Sequence, residues 1–470
     1  MYEDGIDGDS LKEVVAKGIK YIDIGAAVLP KPLFRPDVDE VDDDDLLESI
    51  PNEPADSGRD GIYRSSISSI LTNTLDPLVA STSTREAGAP DEFDIAPKIP
   101  TRYARTLRHE FNAVVVEHHL KWAPLCVETN IAGPAQEPRR LGRYDFHHAD
   151  AIVDWAIKHN MKVKGHVLVW HVTSPTEILE EMTPEQVREQ LRRHIFTTMG
   201  HFRGRIKVWD VVNEALAPDG SLAENIFYRK LGPGYIEECF RWAHEADPDA
   251  MLLYNDNKVE GMNGPNKRKA DAFFHLLAGL VKKGVPIHGC GIQAHFNAAG
   301  TARNRSPTPR MVKNQIHRLG NLGLKVNISE MDVRVSQLPP NLRQIAQRQI
   351  YHDIVAAALT EPAFDGIWLW GFTDRHTWVT HFYYDDEPLI FDEEYGRKEA
   401  YYGLRDALSS IVPGEKFGAG VLLDTDEDEQ GNCWGHQWIQ EPVEDCLDAS
   451  FSKPENDGVV GADRPDWELT

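Results

Sequence analysis

The chain has 470 residues, enough for one large domain with extensions, and 41% are hydrophobic, including 11 Trp and 17 Phe, so a sizeable core is available. Its formal net charge of −25 repels phosphate backbones and excludes nucleic acid as a natural partner, while a neutral polymer would meet no such barrier. The absence of any run of 18 apolar residues excludes a membrane-spanning helix.

The first residues, Met1-Tyr2-Glu3-Asp4-Gly5-Ile6, lack the basic start and apolar stretch of a signal peptide. Either the protein is intracellular or a leader lies outside this sequence. Residues 1–34 hold the first strand signal, at 21–28. An acidic segment follows at 35–97, with Asp37-Val38-Asp39-Glu40-Val41-Asp42-Asp43-Asp44-Asp45 and a Ser/Thr-rich stretch, and reads as a solvated insertion. Its spacing does not match an EF-hand calcium loop.

Residues 98–410 alternate strand and helix signals. Near-continuous apolar runs, as in strands covered on both faces, fall at 112–117, 162–169, 206–212, 250–255, 288–294, 325–330 and 365–371. Amphipathic helices are predicted near 99–110, 147–159, 184–200, 234–246, 266–283, 308–321, 340–360 and 398–409. Thr183-Pro184-Glu185-Gln186 reads as an N-cap followed by Pro at the first helical position, and Pro307-Thr308-Pro309 and Pro339-Pro340 mark two more boundaries. Residues 411–470 form an acidic extension with 15 acidic and three basic residues. Its Trp434, Trp438 and Trp467 suit an anchor to the main domain or a small sugar-binding surface. Cys126, Cys239, Cys290, Cys433 and Cys446 are scattered without a Cys-x-x-Cys pair, which argues against a zinc ribbon and leaves one or two disulfides open.

Eight strands alternating with eight helices predict a (β/α)8 TIM barrel. An open doubly wound sheet is the competing architecture, but no Gly-x-Gly-x-x-Gly follows the first strand. Catalytic groups of a TIM barrel stand at the C-terminal strand ends. Here those ends carry Glu117-His118-His119, His166 with Trp170-His171, Asn213-Glu214, Asn255-Asp256, Gln293-Ala294-His295, Glu330-Met331-Asp332 and Trp370-Gly371. Two carboxylates, Glu214 and Glu330, with indole platforms at Trp170, Trp370 and Trp378, suit glycoside hydrolysis: one carboxyl donates a proton while the other attacks or activates water. A metal-dependent hydrolase would use His166, His171 and His295, but the first strand lacks His-x-His, and five-residue spacing along one strand points His166 and His171 to opposite faces. A non-catalytic glycan-binding barrel would keep the indoles and need neither glutamate.

Trp209-Asp210-Val211-Val212-Asn213-Glu214, Ile328-Ser329-Glu330-Met331-Asp332, Gly165-His166-Val167-Leu168-Val169-Trp170-His171, Gln293-Ala294-His295 and Trp370-Gly371-Phe372-Thr373-Asp374 together resemble glycoside hydrolase family 10, the endo-1,4-β-xylanases, over most of 21–34 and 100–410. The resemblance implies a retaining double displacement with Glu330 as nucleophile and Glu214 as acid/base, no cofactor, and a polysaccharide or oligosaccharide substrate, xylan first. It further implies that Asn213 holds the 2-hydroxyl of the attacked sugar and that His295, with Gln293 nearby, supports the nucleophile. Glu117, His118, Lys121, His166 and Trp170 would line the non-reducing side, and Trp370 and Trp378 would cover the cleaved bond. The expected form is a monomer, and an extracellular location is what the family implies. His118 replaces the usual Asn; Val172-Thr173-Ser174-Pro175-Thr176 lacks the usual Gln and aromatic; Asn257-Lys258 replaces Tyr-Asn. These changes spare the catalytic pair but leave open a mixed-linkage glucan, an altered xylan decoration or a short oligosaccharide.

Overall fold

The computed structural model describes residues 9–18, 22–35, 100–126, 141–261, 266–299, 306–383 and 385–410. The predicted segments 35–97 and 411–470 fall outside them, apart from Arg35.

Eight parallel strands close a barrel: β1 (Asp23–Val28), β2 (Ala113–Val116), β3 (Lys162–Gly165), β4 (Val208–Asn213), β5 (Met251–Asp256), β6 (Gly289–Ile292), β8 (Lys325–Arg334) and β9 (Phe364–Leu369). Each pairs with its neighbour in chain order, β9 returns to β1, and β6 pairs directly with β8. The fold is thus the (β/α)8 barrel expected from the sequence. The apolar runs form it because a parallel strand covered by helices outside and by packed side chains inside has no solvated face. Inside, Trp368 on β9 lies over Gly25 of β1, and Trp209 on β4 lies over Gly165 of β3. A Cβ at either glycine would stand 2.2 Å from the facing indole, so the large side chain of one strand requires none on the next.

Helices at Arg102–Glu110, His147–Lys158, Pro184–Phe202, Tyr235–Ala246, Lys267–Lys282, Pro309–Gly320, Pro340–Leu359 and Glu399–Ser410 match the eight predicted ones. Thr183 and Gln186 form a full capping box, and Thr308 caps the helix begun by Pro309. No helix among the described residues is long and apolar enough to cross a membrane.

Three features differ from the sequence reading. The extended run predicted to 169 is split: β3 stops at Gly165, and pairing with β4 resumes where Leu168 N and Val169 N donate to Asp210 O and Val211 O. A short strand, β7 (His295–Asn297), pairs with the far half of β8, which runs on to Arg334. A helix at Leu11–Gly18 was not predicted; Leu11 N bonds Glu110 Oε2, an oxygen that also accepts from Tyr401. Cys126, Cys239 and Cys290 are buried free thiols, while Cys433 and Cys446 lie outside the described residues.

Candidate active site

β4 delivers Asn213 and Glu214 to the C-terminal mouth of the barrel. Glu214 adopts the left-handed region (φ 54°), which a residue with a Cβ occupies only at a cost, and its N–H is tied to Asn255 O at 3.0 Å. Its two carboxylate oxygens have separate partners. Oε2 accepts from Trp170 Nε1 at 2.9 Å, and Oε1 from Gln293 Nε2 at 2.8 Å and Asn213 Nδ2 at 3.3 Å.

Glu330 lies within β8 and is 5% exposed. Oε1 accepts from Asn255 Nδ2 at 2.6 Å, and Oε2 meets His295 Nε2 at 3.2 Å. The two carboxylates belong to one network: Asn255 and Gln293, each bonded to one of them, both donate to Asn213 Oδ1, at 3.0 and 3.2 Å. Behind His295, Asp332 Oδ2 bonds its Nδ1 at 2.8 Å and also accepts Trp378 Nε1 at 2.8 Å. Burial works against a charge on Glu330, but the hydrogen bond from His295 and the nearby His166, His295 and Lys164 outweigh it and hold the carboxyl below its usual range. The opposite balance, burial outweighed by Asp332 and Glu330, holds His295 above its ordinary value.

A family model described as glycosyl hydrolase family 10 matches residues 84–407, well over half the chain. The chain belongs to glycosyl hydrolase family 10. It is 36% identical to endo-1,4-beta-xylanase B of Thermotoga neapolitana over 65% of this chain and 83% of that protein. It is 35% identical to a beta-1,4-xylanase of Dictyoglomus thermophilum over 64% of this chain and 83% of that one. Among solved structures, xylanase 10B of Thermotoga petrophila in complex with xylobiose aligns with a TM-score of 0.63 and 30% identity, covering 86% of this chain and 98% of its own. The protein is a xylanase-like glycoside hydrolase on a TIM barrel.

In this family 10 barrel several of the remaining expected site residues, Glu117, Lys121 and His166 among them, stand near the pair. Lys121 is buried, with its ammonium over the rings of Trp170 at 4.8 Å and Trp370 at 5.5 Å. His166 Nδ1 bonds Asp210 Oδ2 at 3.0 Å, and its ring meets Trp370 edge-on at 4.9 Å. Trp370 packs with Ala27, Ala113, Val115 and Trp368, and Trp378 leans on that cluster. Glu117 sits close enough to feel both Lys121 and Glu330: burial lifts it to about 7, Lys121 pulls it down and Glu330 pushes it up.

His118 is not joined to the catalytic pair by a hydrogen bond. Its ring stands edge-on to His119 at 5.4 Å, its Nε2 is shielded without a partner, and burial and then Lys121 lower it to about 3. His166 and His171 do not alternate along one strand, as the sequence spacing suggested: β3 ends at Gly165, before His166, and His171 opens a single 3-10 turn. Among the described residues no three His, Cys, Asp or Glu side chains are placed to hold a metal ion.

Sequence reasoning named no site role for Asn255, Asp332, Asp210 or Lys164. Asp332 stands two residues from Glu330 within β8, and the period of a strand places such neighbours on the same face. That spacing was the available signal.

Proposed function

We propose that this protein is a retaining endo-1,4-β-xylanase that acts as a monomer without a cofactor. Supporting this reading is the shared amide network of the two glutamates, which gives them opposite surroundings. Glu330 is enclosed, accepts from Asn255 and His295, and is held ionised. Glu214 is half-buried, at the open end of β4. Double displacement needs one carboxylate held ionised for attack and a second free to carry a proton, and the hydrogen bonds and charges around Glu330 suit it to the first task.

In the first step a Glu330 oxygen attacks the anomeric carbon, the glycosidic bond breaks, and Glu214 gives its proton to the departing oxygen. In the second step Glu214 takes a proton from water, whose oxygen displaces Glu330 and restores the original configuration. Asn213 holds the 2-hydroxyl and His295 supports the nucleophile, while Gln293, expected beside the nucleophile, donates instead to Glu214. Trp370 and Trp378 cover the reacting bond, and Glu117, His118, Lys121, His166 and Trp170 receive the sugars on the non-reducing side. The xylanase names of the relatives, and the xylobiose of one solved structure, support xylan as the substrate.

Reducing-sugar release from decorated and plain xylans and from mixed-linkage β-glucan, with the product anomer followed by NMR, tests the proposal. Release from xylan with the β-anomer formed first is the expected result. First formation of the α-anomer would overturn retention, and inertness on xylan with turnover of glucan would overturn the substrate.

A further inference from the structure

Below the catalytic pair lies a lysine that the proposed reaction does not use. Lys164, on β3, precedes His166 by two residues in the chain, its side chain is 1% exposed, and its Nζ stands 3.1 Å from Asp210 Oδ2, which is fully buried. That same oxygen accepts His166 Nδ1 at 3.0 Å, and His166 Nδ1 lies 4.0 Å from Glu330 Oε1. The Trp368 ring faces the ammonium at 5.5 Å. Beyond the ion pair, neither Lys164 Nζ nor Asp210 Oδ1 has a hydrogen-bond partner among the described residues.

Such an arrangement is a poor stabilising device. Taking two charges out of water costs several kcal/mol per ion, roughly offset by their attraction only when further hydrogen bonds complete the site. Here that completion is missing, and an apolar side chain at 164 would fill the core more simply. The arrangement makes sense as charge balance. Without Lys164, Asp210 and Glu330 would be two carboxylates flanking one imidazole in a desolvated space, and one of them would compete with the other for its proton.

We propose that Lys164 is a positioning residue for hydrolysis: its buried charge neutralises Asp210, so that His166 keeps its orientation and Glu330 remains ready to attack. The inference rests on the glycosidase reaction proposed above. Other groups also act on Glu330, and the test must separate them. His166 faces it from just past β3, Glu117 and Lys121 from the turn after β2 and His295 from β7, while Asp210 of β4 and Asp332 of β8 bond those two histidines and Glu214 acts on Lys121. Asp365 of β9 interacts with Lys164, and Asp23, Lys162 and Lys325 surround that aspartate. Lys164 also acts on Glu330 through space, but its contacts run through Asp210 and His166.

The experiment compares the full chain with Lys164→Gln, Lys164→Met and Lys164→Arg, using the pH profile of kcat/KM on an aryl β-xylobioside and thermal melts of each protein. Lys164→Gln keeps a donor against Asp210 and so remains informative if Lys164→Met does not fold. The Gln variant should move the acid limb upward by about 1 pH unit, since a nearby opposite charge is worth that much or more to a buried carboxylate. On the acid limb itself kcat should fall several-fold while KM changes less than about twofold, and Lys164→Arg should keep the parental limb. A folded Lys164→Gln protein with the parental acid limb, or an Arg variant shifted as far as the Gln variant, overturns the inference alone. A parent protein inert on every glycan would overturn the glycosidase reading with it.

Discussion

Asn255 Nδ2 lies 2.6 Å from Glu330 Oε1, closer to the proposed nucleophile than any other donor in the described network. The same amide donates to Asn213 Oδ1 and its carbonyl accepts from Ser329 Oγ, so its orientation is fixed from three sides. A hydrogen bond to a charged group contributes about 1.5–3 kcal/mol. Asn255→Ala should therefore lower kcat by roughly 10- to 100-fold while the protein still folds. Asn255→Asp is the sharper variant. It places a second carboxylate against Glu330, a like charge that raises the pair's pKa, and the acid limb of the kcat/KM profile should shift upward. An unchanged limb in Asn255→Asp would mean that the contact is not made in solution.

The two glutamates should fail in different ways. Glu330→Ala removes the attacking atom, so no glycosyl-enzyme should be trapped with a 2-fluoro xyloside, as read by intact-protein mass spectrometry. Glu214→Ala removes proton donation, an effect of about 10²–10⁴-fold on natural polymers. Aryl glycosides with good leaving groups need no such proton, and their first step should be largely spared. Equal losses on both substrate types would assign Glu214 a different task.

How much of this was legible beforehand follows from what each residue type signals. The eight barrel strands were readable because both of their faces are buried, which leaves continuous apolar runs. β7 was not, since three residues, His295–Asn297, carry no period. The proposed catalytic pair was legible because polar residues concentrate at strand ends, where a core would not place them. Lys164 was invisible because a lysine in a strand ordinarily marks a solvated face, and only the neighbouring Asp210 makes its burial tolerable. The edge-on packing of His118 on His119, and of His119 on His148, joins residues far apart in the chain and left no local pattern to read.

Gly165 tests the link between the barrel wall and the site. A Cβ there would stand 2.2 Å from Trp209 Cε3, so Gly165→Ala forces the indole or the strand to move. Overpacking of this kind costs about 1–3 kcal/mol. Gly165 adjoins His166 and Trp209 adjoins Asp210, so the strain should reach the His166–Asp210 bond and lower activity along with the melting temperature. Replacing Trp209 by Leu in the Gly165→Ala background should recover part of the lost stability. If the double variant is no more stable than Gly165→Ala, the indole is not what excludes the methyl group.

Glu117 gives a prediction about stability rather than turnover. Its carboxyl is lifted from 4.5 to about 7, chiefly by burial. A group whose folded pKa is raised binds its proton more tightly in the native state, so its contribution to stability is complete below pH 4.5 and is lost as the pH rises to 7. Glu117→Gln imitates the protonated form at every pH. The difference in melting temperature, variant minus parent, should therefore grow in the variant's favour between pH 4.5 and pH 7 and then level off. Lys121 complicates the absolute value, because the Gln variant loses that attraction at high pH, but the direction of the pH trend already includes it. Melts at pH 4.5, 5.5, 6.5 and 8 suffice. A difference that stays flat across this range would show that Glu117 ionises at its ordinary value and is better solvated than its position suggests.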